Sequence, residues 1–347
     1  MSGNRAADEA ESVTVDINDG EKLVSMERGI SLMEGLSLNG VYLPSACGGF
    51  GSCATCKVRI LEGGGTHLPT EVPYLSDREI ADNVHLSCQF RPIMDTRIQV
   101  SERQFQAERL DCRVEKIVDL TRDMRELRLS LPAGRTVRFT AGQYCQIEVP
   151  PQDGVPATRR GYSITSPPTE RDSLEFLIHR MPGGIASTYL HRKLTVGQRL
   201  TVVVPFGEFG LREERAPMIF IAAGSGIAPF RSIIRERVKR EMMELSDIWL
   251  FFGARTEAEL CYVEWLRKLS ERYRRFHLVA ALSEPPGGWD GETGRLAELL
   301  HRYLTRIQLE AGTEAYLCGG PATLDACMNV LRQGGISEQM IHFDKFA

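Results

Sequence analysis

The 347-residue sequence has no apolar run approaching the ~18 residues that a membrane-spanning helix requires, and its first residues, MSGNRAADEAES, lack the apolar core of a secretory signal. The cytoplasm is therefore the expected compartment. There is no large charge excess either: 46 acidic against 42 basic side chains leave −4, a poor match to a nucleic-acid partner. What charge there is lies unevenly, because residues 11–100 hold twelve acidic and seven basic side chains. Such a face either steers toward a basic partner or is simply solvated. The seven histidines show no metal-ligand spacing, and His67, His85 and His277 read as surface or core positions. Nine cysteines is an odd number, and five of them (Cys112, Cys145, Cys261, Cys318, Cys327) are scattered. That pattern argues against a disulfide framework and for reduced thiols.

The other four cysteines are grouped. Cys47, Cys53 and Cys56 are spaced C-x5-C-x2-C within ACGGFGSCATCKV, and Cys88 follows after a gap of 31 residues. Four thiolates are what a [2Fe–2S] centre needs. Gly48, Gly49 and Gly51 allow a loop to turn sharply and aim backbone N–H groups at an anionic cluster. A structural zinc site is the alternative, but zinc modules usually present two close ligand pairs. Here three ligands crowd one loop and the fourth stands alone.

With 42% hydrophobic and 25% charged residues, the composition is that of a soluble multidomain protein. After a tail over 1–11, residues 12–100 contain short β-type runs (SVTVDI, CKVRIL, TRIQV) around a helix-like stretch near 31–37, enough for a small β-grasp domain. A polar linker over 101–109 leads to residues 110–211, where CRVEKIV, RELRLSLP, GQYCQIEVP, GYSIT, LEFLIHR and RLTVVVP predict an antiparallel barrel. His179, in LIHR, reads as lining that barrel. Residues 212–347 alternate strands (PMIFIAAG, DIWLFFGAR, FHLVAALS, EAYLCGG) with helical segments (IRERVKREM, VEWLRKLSERY, TLDACMNVLRQ). That alternation predicts a doubly wound parallel sheet with its ligand at the carboxyl ends of the strands. The fold expected is thus multidomain, α+β followed by α/β. The basic run RERVKRE and Met242–Met243 read as a solvated helix face with a few core contacts.

Two segments point to phosphate. MPGGIASTYL sets Gly183 and Gly184 before a helix containing Ser187 and Thr188, and a helix N-terminus with small residues is a ready pyrophosphate site. FIAAGSGIAPF places Gly224, Gly226 and Pro229 between an apolar strand and a helix. Glycine there permits close approach to a pyrophosphate and proline suits the first turn, although the pattern is not G-x-G-x-x-G.

The string RGYSIT resembles the R-x-Y-S motif of the ferredoxin–NADP reductase superfamily. The resemblance implies that Tyr162 lies against an isoalloxazine, that Ser163 hydrogen-bonds near its N5, and that Arg160 offers its fork to a phosphate. It also implies that the segment with Gly183, Gly184, Ser187 and Thr188 holds the flavin diphosphate, which favours FAD over FMN. Cys318, Gly319 and Pro321 in YLCGGP match the superfamily's C-G-x-P turn beside the nicotinamide, with Cys318 near the hydride path; a buried core cysteine is the alternative. Phe346, next to last, matches a terminal aromatic that covers the flavin, though plain anchoring of the tail accounts for it equally. GARTEAEL, with Gly253 and Arg255, falls where the superfamily reads the adenosine ribose. Arg255 could face a 2′-phosphate, yet the G-A-R string is similar to NADH-using relatives, so NADH is expected ahead of NADPH.

Ferredoxin, flavin barrel and nicotinamide domain in that order resemble the F subunits of the sodium-translocating NADH:quinone reductases, through CGGFGSC, GGGTHLPTE, RGYSIT, GARTEAEL, SEPPGGWDG and CGGP. Oxygenase reductases share the order, and the five-residue first cysteine gap departs from plant-type ferredoxins. The resemblance implies an NAD(P)H-dependent oxidoreductase. Hydride from NADH passes to FAD, and single electrons pass through the cluster to a protein acceptor such as an oxygenase component. The sodium-pump protein carries a membrane anchor before its ferredoxin domain, and here that domain begins almost at once. A soluble reductase is therefore expected. The alternative is the electron-input subunit of a membrane-bound complex, in contact with the membrane only through partner subunits.

Overall fold

The computed structural model describes residues 12–101, 105–152, 154–307 and 309–346. Backbone contacts divide the chain into two units: Met1–Leu110, Cys145–Gly161 and Thr201–Phe206 form one, and Asp111–Tyr144, Tyr162–Leu200 and Gly207–Ala347 the other.

The first unit begins with β1 (Ser12–Ile17), β2 (Lys22–Glu27), α1 (Leu32–Leu38), β3 (Lys57–Glu62), α2 (Asp77–Ala81), β4 (Val84–Leu86) and β5 (Thr96–Gln99). The five strands order as β2-β1-β5-β3-β4, with β1 and β5 parallel at the centre and the other pairs antiparallel. This is the β-grasp arrangement expected. In β1 the alternation of SVTVDI buries Val13, Val15 and Ile17, because successive side chains point to opposite faces. They pack with Leu32 and Leu36 of α1 in one core. Ser31 starts that helix by accepting a hydrogen bond from Glu34 N. The short helix α2, which the sequence pattern does not announce, starts with a capping box of Ser76 and Glu79.

The barrel strands follow as β6 (Glu108–Asp119), β7 (Met124–Ser130), β8 (Tyr144–Val149), β9 (Thr158–Ser163), β10 (Ser173–His179) and β11 (Arg199–Phe206), with α3 (Ile185–Arg192) before the last. Most of β8, β9 and β11 belongs to the first unit, where they neighbour in the order β11-β8-β9. In the second unit β10, β7 and β6 pair antiparallel.

The second unit is completed by β12 (Met218–Ala223), α4 (Ile227–Lys239), β13 (Ile248–Ala254), α5 (Val263–Arg272), β14 (Phe276–Leu282), β15 (Glu292–Thr293), α6 (Leu296–Leu304), β16 (Glu314–Gly319), α7 (Pro321–Gln333) and β17 (Ile341–Lys345). The sheet order β15-β14-β13-β12-β16-β17 is parallel throughout. Both faces are covered: Phe220 and Phe252 pack with Ile233 and Leu266 on one side, and Ile219 and Ile221 with Leu324 and Leu331 on the other. Strand order reverses between β12 and β16, and the crevice outside the carboxyl ends of such strands is where ligands bind.

Two details correct the sequence reading. Helix α4 stops at Lys239 instead of running through Met242, because Glu241 takes a left-handed conformation (φ 56°). Arg237 is not on a solvated face: it is 2% exposed and donates to Glu214 O and Met242 O, while Met243 is buried in the core.

Candidate functional site

The four cysteines of the spaced motif converge. Cys53 Sγ lies 3.4 Å from Cys47 Sγ, and Cys56 Sγ lies 3.3 Å from Cys88 Sγ. In each pair one sulfur donates to the other. The Cys53 thiol holds Cys47 down to about 3, with backbone N–H groups of Ser52 and Gly49 adding to this. The Cys56 thiol, helped by Gln89 and the Gly51 amide, holds Cys88 at about 7. The donors Cys53 and Cys56 are correspondingly raised, first by their bonds to Cys47 and Cys88 and then by burial. Amides aimed at sulfur, and two thiols held down in a half-buried loop, fit an anionic cluster with four cysteine ligands.

The loop's glycines have two distinct reasons. Gly48, Gly49 and Gly51 all have positive φ, which other residues adopt at a cost. At Gly48 there is also a steric demand, since a β-carbon would lie 2.1 Å from Arg159 O. The loop is seated on β9: Gly161 N donates to Ala46 O (3.3 Å) and the Arg160 guanidinium lies over the Phe50 ring at 4.9 Å, while Arg159 Nη1 donates to Ser37 Oγ of α1 (2.7 Å). Arg160 also donates to Thr158 Oγ1 and to Arg159 O. Arg160 thus also stands against the cluster loop.

Within the second unit, Ser163 is buried and Tyr162 and His179 are half-buried. Gly183 (φ 71°) precedes α3, whose N-terminus has no side-chain cap, and a β-carbon on Gly183 would meet nothing within 4 Å. That open, uncapped helix start, with Thr188 in its first two turns, fits a diphosphate. Ser187 is otherwise engaged: its hydroxyl accepts from Met181 N (3.1 Å) and donates to Gly184 O (3.3 Å), bracing the turn from inside.

At the carboxyl end of the sheet, Gly224 follows β12 with φ 54° and open space around its missing β-carbon. Gly226 is the opposite case, with a β-carbon position 2.1 Å from Cys318 O, so the two loops at the strand-order reversal touch. Pro229 is buried within the first turn of α4. Cys318 is fully buried, and burial first, then Asp344, raises its thiol well above its ordinary range. It remains an uncharged thiol at physiological pH. Pro321 opens α7, and Phe346 N donates to Gly319 O (3.0 Å), pinning the tail at the end of β16. Gly253 packs against Leu296. Arg255 is exposed, and its charge faces Glu259 Oε1 at 3.6 Å while its backbone N–H donates to Glu259 Oε2 (3.2 Å).

Several charged residues at these places had no signal in the sequence. Buried Glu175 on β10 accepts from Arg128, Arg231 and Arg235. Burial alone would raise its carboxyl, but Arg235 and Arg231 bring it down to about 2. Asp344, paired with Cys318 in the β16/β17 register, is pushed by burial up to about 6. His67 and His85 meet Glu71 in one cluster, with His85 and Glu71 buried. Residues 67 and 85 lie on either side of α2, and only the turn of the chain through that helix brings them together.

Among the described residues no helix is long and apolar enough to cross a membrane. The sequence matches the 2Fe-2S iron-sulfur cluster binding domain over residues 10–92, the oxidoreductase FAD-binding domain over 111–210 and the oxidoreductase NAD-binding domain over 220–329. It is 32% identical to the F subunit of the Na(+)-translocating NADH-quinone reductase of Neisseria gonorrhoeae, over 96% of this chain and 91% of that one. It is 33% identical to the corresponding F subunit of Psychrobacter cryohalolentis over the same shares. Among solved structures it is similar to the Amycolatopsis cytochrome P450 reductase GcoB (29% identity, 96% of this chain and 98% of that one, TM-score 0.76). It is also similar to the ferredoxin reductase in carbazole 1,9a-dioxygenase (26% identity, 97% and 98%, TM-score 0.70). The chain is an NAD(P)H-dependent oxidoreductase that uses FAD, a [2Fe–2S] cluster and NADH, and delivers electrons to a downstream redox acceptor. With its iron–sulfur, FAD and NAD domains in this order, the chain belongs to the family of the Na(+)-translocating NADH-quinone reductase F subunits, within the ferredoxin–NADP reductase superfamily.

Proposed function

We propose that this chain is a cytoplasmic reductase component whose acceptor is an oxygenase or a similar redox enzyme, and that the residues described above hold its three cofactors. When bound, FAD takes the hydride of NADH as an electron pair and the [2Fe–2S] cluster passes electrons on singly. Cys47, Cys53, Cys56 and Cys88 are the cluster ligands in this reading. The uncapped start of α3 with Gly183, Gly184 and Thr188 receives the flavin diphosphate, Ser187 holding the turn in shape. Tyr162, Ser163 and His179 serve the flavin ring, and Arg160 ties the strand before them to the cluster loop. Gly224, Gly226, Pro229, Cys318, Gly319 and Pro321 would hold the nicotinamide dinucleotide, and Gly253 and Arg255 would serve its adenosine end. Cys318, buried and neutral, shapes the hydride path and excludes water without exchanging a proton. Phe346 is held at that same strand end by Gly319. Domain limits of 12–100, 110–211 and 212–347 accompany this assignment.

The observation that carries the reading is the convergence of four thiols on a chain that also has a parallel-sheet strand-order reversal with open space at Gly224. A two-electron donor site and a one-electron carrier on one polypeptide suit an acceptor that takes electrons singly. The choice of an oxygenase-type acceptor draws support from the whole-length likeness to two reductases of oxygenase systems. A second reading, the electron-input subunit of a membrane-bound NADH:quinone-type complex, is favoured by the identity to the two F subunits. Fractionation of a native lysate separates the two. Recovery in the cytosolic supernatant supports the first reading, and co-sedimentation with membranes, reversed by detergent, supports the second. Cys88→Ser tests the electron order: ferricyanide reduction by NADH, which flavin alone can serve, persists, and reduction of a one-electron protein acceptor is lost. Equal loss of both in a folded variant contradicts the order.

A further inference from the structure

We propose that Thr55 and Gln89 set the reduction potential of the cluster, each by donating one side-chain hydrogen bond to a different cysteine pair. The inference rests on the reading of Cys47, Cys53, Cys56 and Cys88 as the cluster ligands. A sulfur bound to iron carries no proton and can only accept, which fixes the direction of every bond made to it. Thr55 Oγ1 accepts from Ala46 N (3.1 Å) and lies 3.0 Å from Cys53 Sγ, so its hydroxyl proton is left for that sulfur. Gln89 Oε1 accepts from Thr70 Oγ1 (3.2 Å), which turns Nε2 toward Cys88 Sγ at 3.6 Å. The amide is held from a second side by the loop itself: a β-carbon on Gly51 would stand 2.8 Å from Gln89 Nε2. The pair Cys47 and Cys53 and the pair Cys56 and Cys88 thus each receive one donor from outside the four thiols.

Ser45 is a third hydroxyl beside the loop, with a different task. It is buried, its oxygen accepts from Gly49 N (3.0 Å), and it stands 3.9 Å from Cys47 Sγ. At that distance it braces the loop and gives the sulfur only a weak contact. Thr55 and Ser45 therefore share the bracing role, each accepting one backbone N–H of the loop, and differ in the bond to sulfur. Reduction adds one electron to a centre that four thiolates already make anionic, and a donor to sulfur stabilises that added charge more than it stabilises the oxidised form. Both bonds consequently pull the potential upward. Backbone amides that point at sulfur come with the turn of the loop, whereas these two donors are side chains and can change while the turn stays the same. One electron arrives from the reduced flavin and one leaves to the acceptor. Neither Thr55 nor Gln89 gives up a proton or changes a covalent bond.

The test is an anaerobic redox titration of holoprotein with its full iron content, followed by the low-temperature EPR signal of the reduced cluster, which reads the cluster apart from the flavin. Thr55→Val and Gln89→Leu should each shift the one-electron equilibrium about tenfold toward the oxidised form, a midpoint ~59 mV more negative. Thr55→Ser should keep the wild-type midpoint, and Ser45→Ala should move it less than Thr55→Val does. An unchanged midpoint in Thr55→Val or Gln89→Leu at full iron, or an equal shift in Ser45→Ala, would overturn the proposal. Where iron is lost, Thr55→Ala replaces Thr55→Val. Thr70→Val, which frees the Gln89 amide without altering a neighbour of a cysteine, replaces Gln89→Leu and should shift the midpoint in the same direction. Failure of both variants in either pair to hold iron would show a purely structural role and overturn the proposal too. Wild-type protein with neither iron nor the EPR signal would overturn the cluster reading itself, and this inference with it.

Discussion

Gly48 of the cluster loop lies against Arg159 of β9 so closely that a β-carbon would stand 2.1 Å from the Arg159 carbonyl oxygen, at a φ of +75°. Both facts require glycine at this position, and both hold the loop on the strand whose next residues are Arg160, Gly161 and Tyr162. Gly48→Ala should unseat the loop, costing at least ~2 kcal/mol from left-handed strain and overpacking. Iron per chain should fall below two and the thermal midpoint should drop. Full iron content with an unchanged midpoint would contradict the packing argument.

Glu175→Gln leaves the charges of Arg128, Arg231 and Arg235 around a neutral amide. Loss of one partner from such a buried network costs ~3 kcal/mol, measurable by urea unfolding at pH 7. Because the Glu175 carboxyl is held down at about 2, its stabilisation is present above the ordinary carboxylate range and lost as pH falls toward 2. The gap between wild type and variant should stay constant from pH 5 to 8 and narrow in acid.

Asp344 has the opposite sign. Its carboxyl is raised to about 6, so the folded state favours the protonated form, and stability is lost as pH rises through the unfolded value toward that one. Asp344→Asn should therefore raise the melting temperature at pH 8, by ~2 kcal/mol in stability, and leave it nearly unchanged at pH 4. Equal effects at both pH values would show that the carboxyl does not titrate in this window.

Glu259 sets its carboxylate beside the Arg255 guanidinium and backbone, where a 2′-phosphate would need positive charge. Glu259→Gln should shift the ratio of kcat/KM for NADPH over NADH upward by roughly tenfold, or ~1.4 kcal/mol. An unchanged ratio would place the ribose elsewhere.

The parts of this protein that follow from local rules were legible in its sequence. The alternation of SVTVDI and the apolar strands ending in Gly224 and Cys318 announce their elements directly, and the four cysteines declare their chemistry by spacing. Features that depend on distant segments meeting were not legible. The contact of Arg160 with Phe50 of the cluster loop and the closing of its own turn by the Ser187 hydroxyl are two such features. Glu175 gathers arginines from β7 and α4, and Glu71 gathers histidines from both sides of α2. No periodicity records either meeting.

The central claim is that electrons enter as a pair from NADH and leave singly through the four-cysteine loop. An anaerobic titration of the purified holoprotein with NADH, followed by visible absorption and low-temperature EPR, tests it most directly. The account predicts that the flavin band bleaches and that a rhombic [2Fe–2S] signal grows in the same titration, with that signal missing in Cys88→Ser. Flavin bleaching without any iron signal, in protein holding two irons per chain, would contradict it.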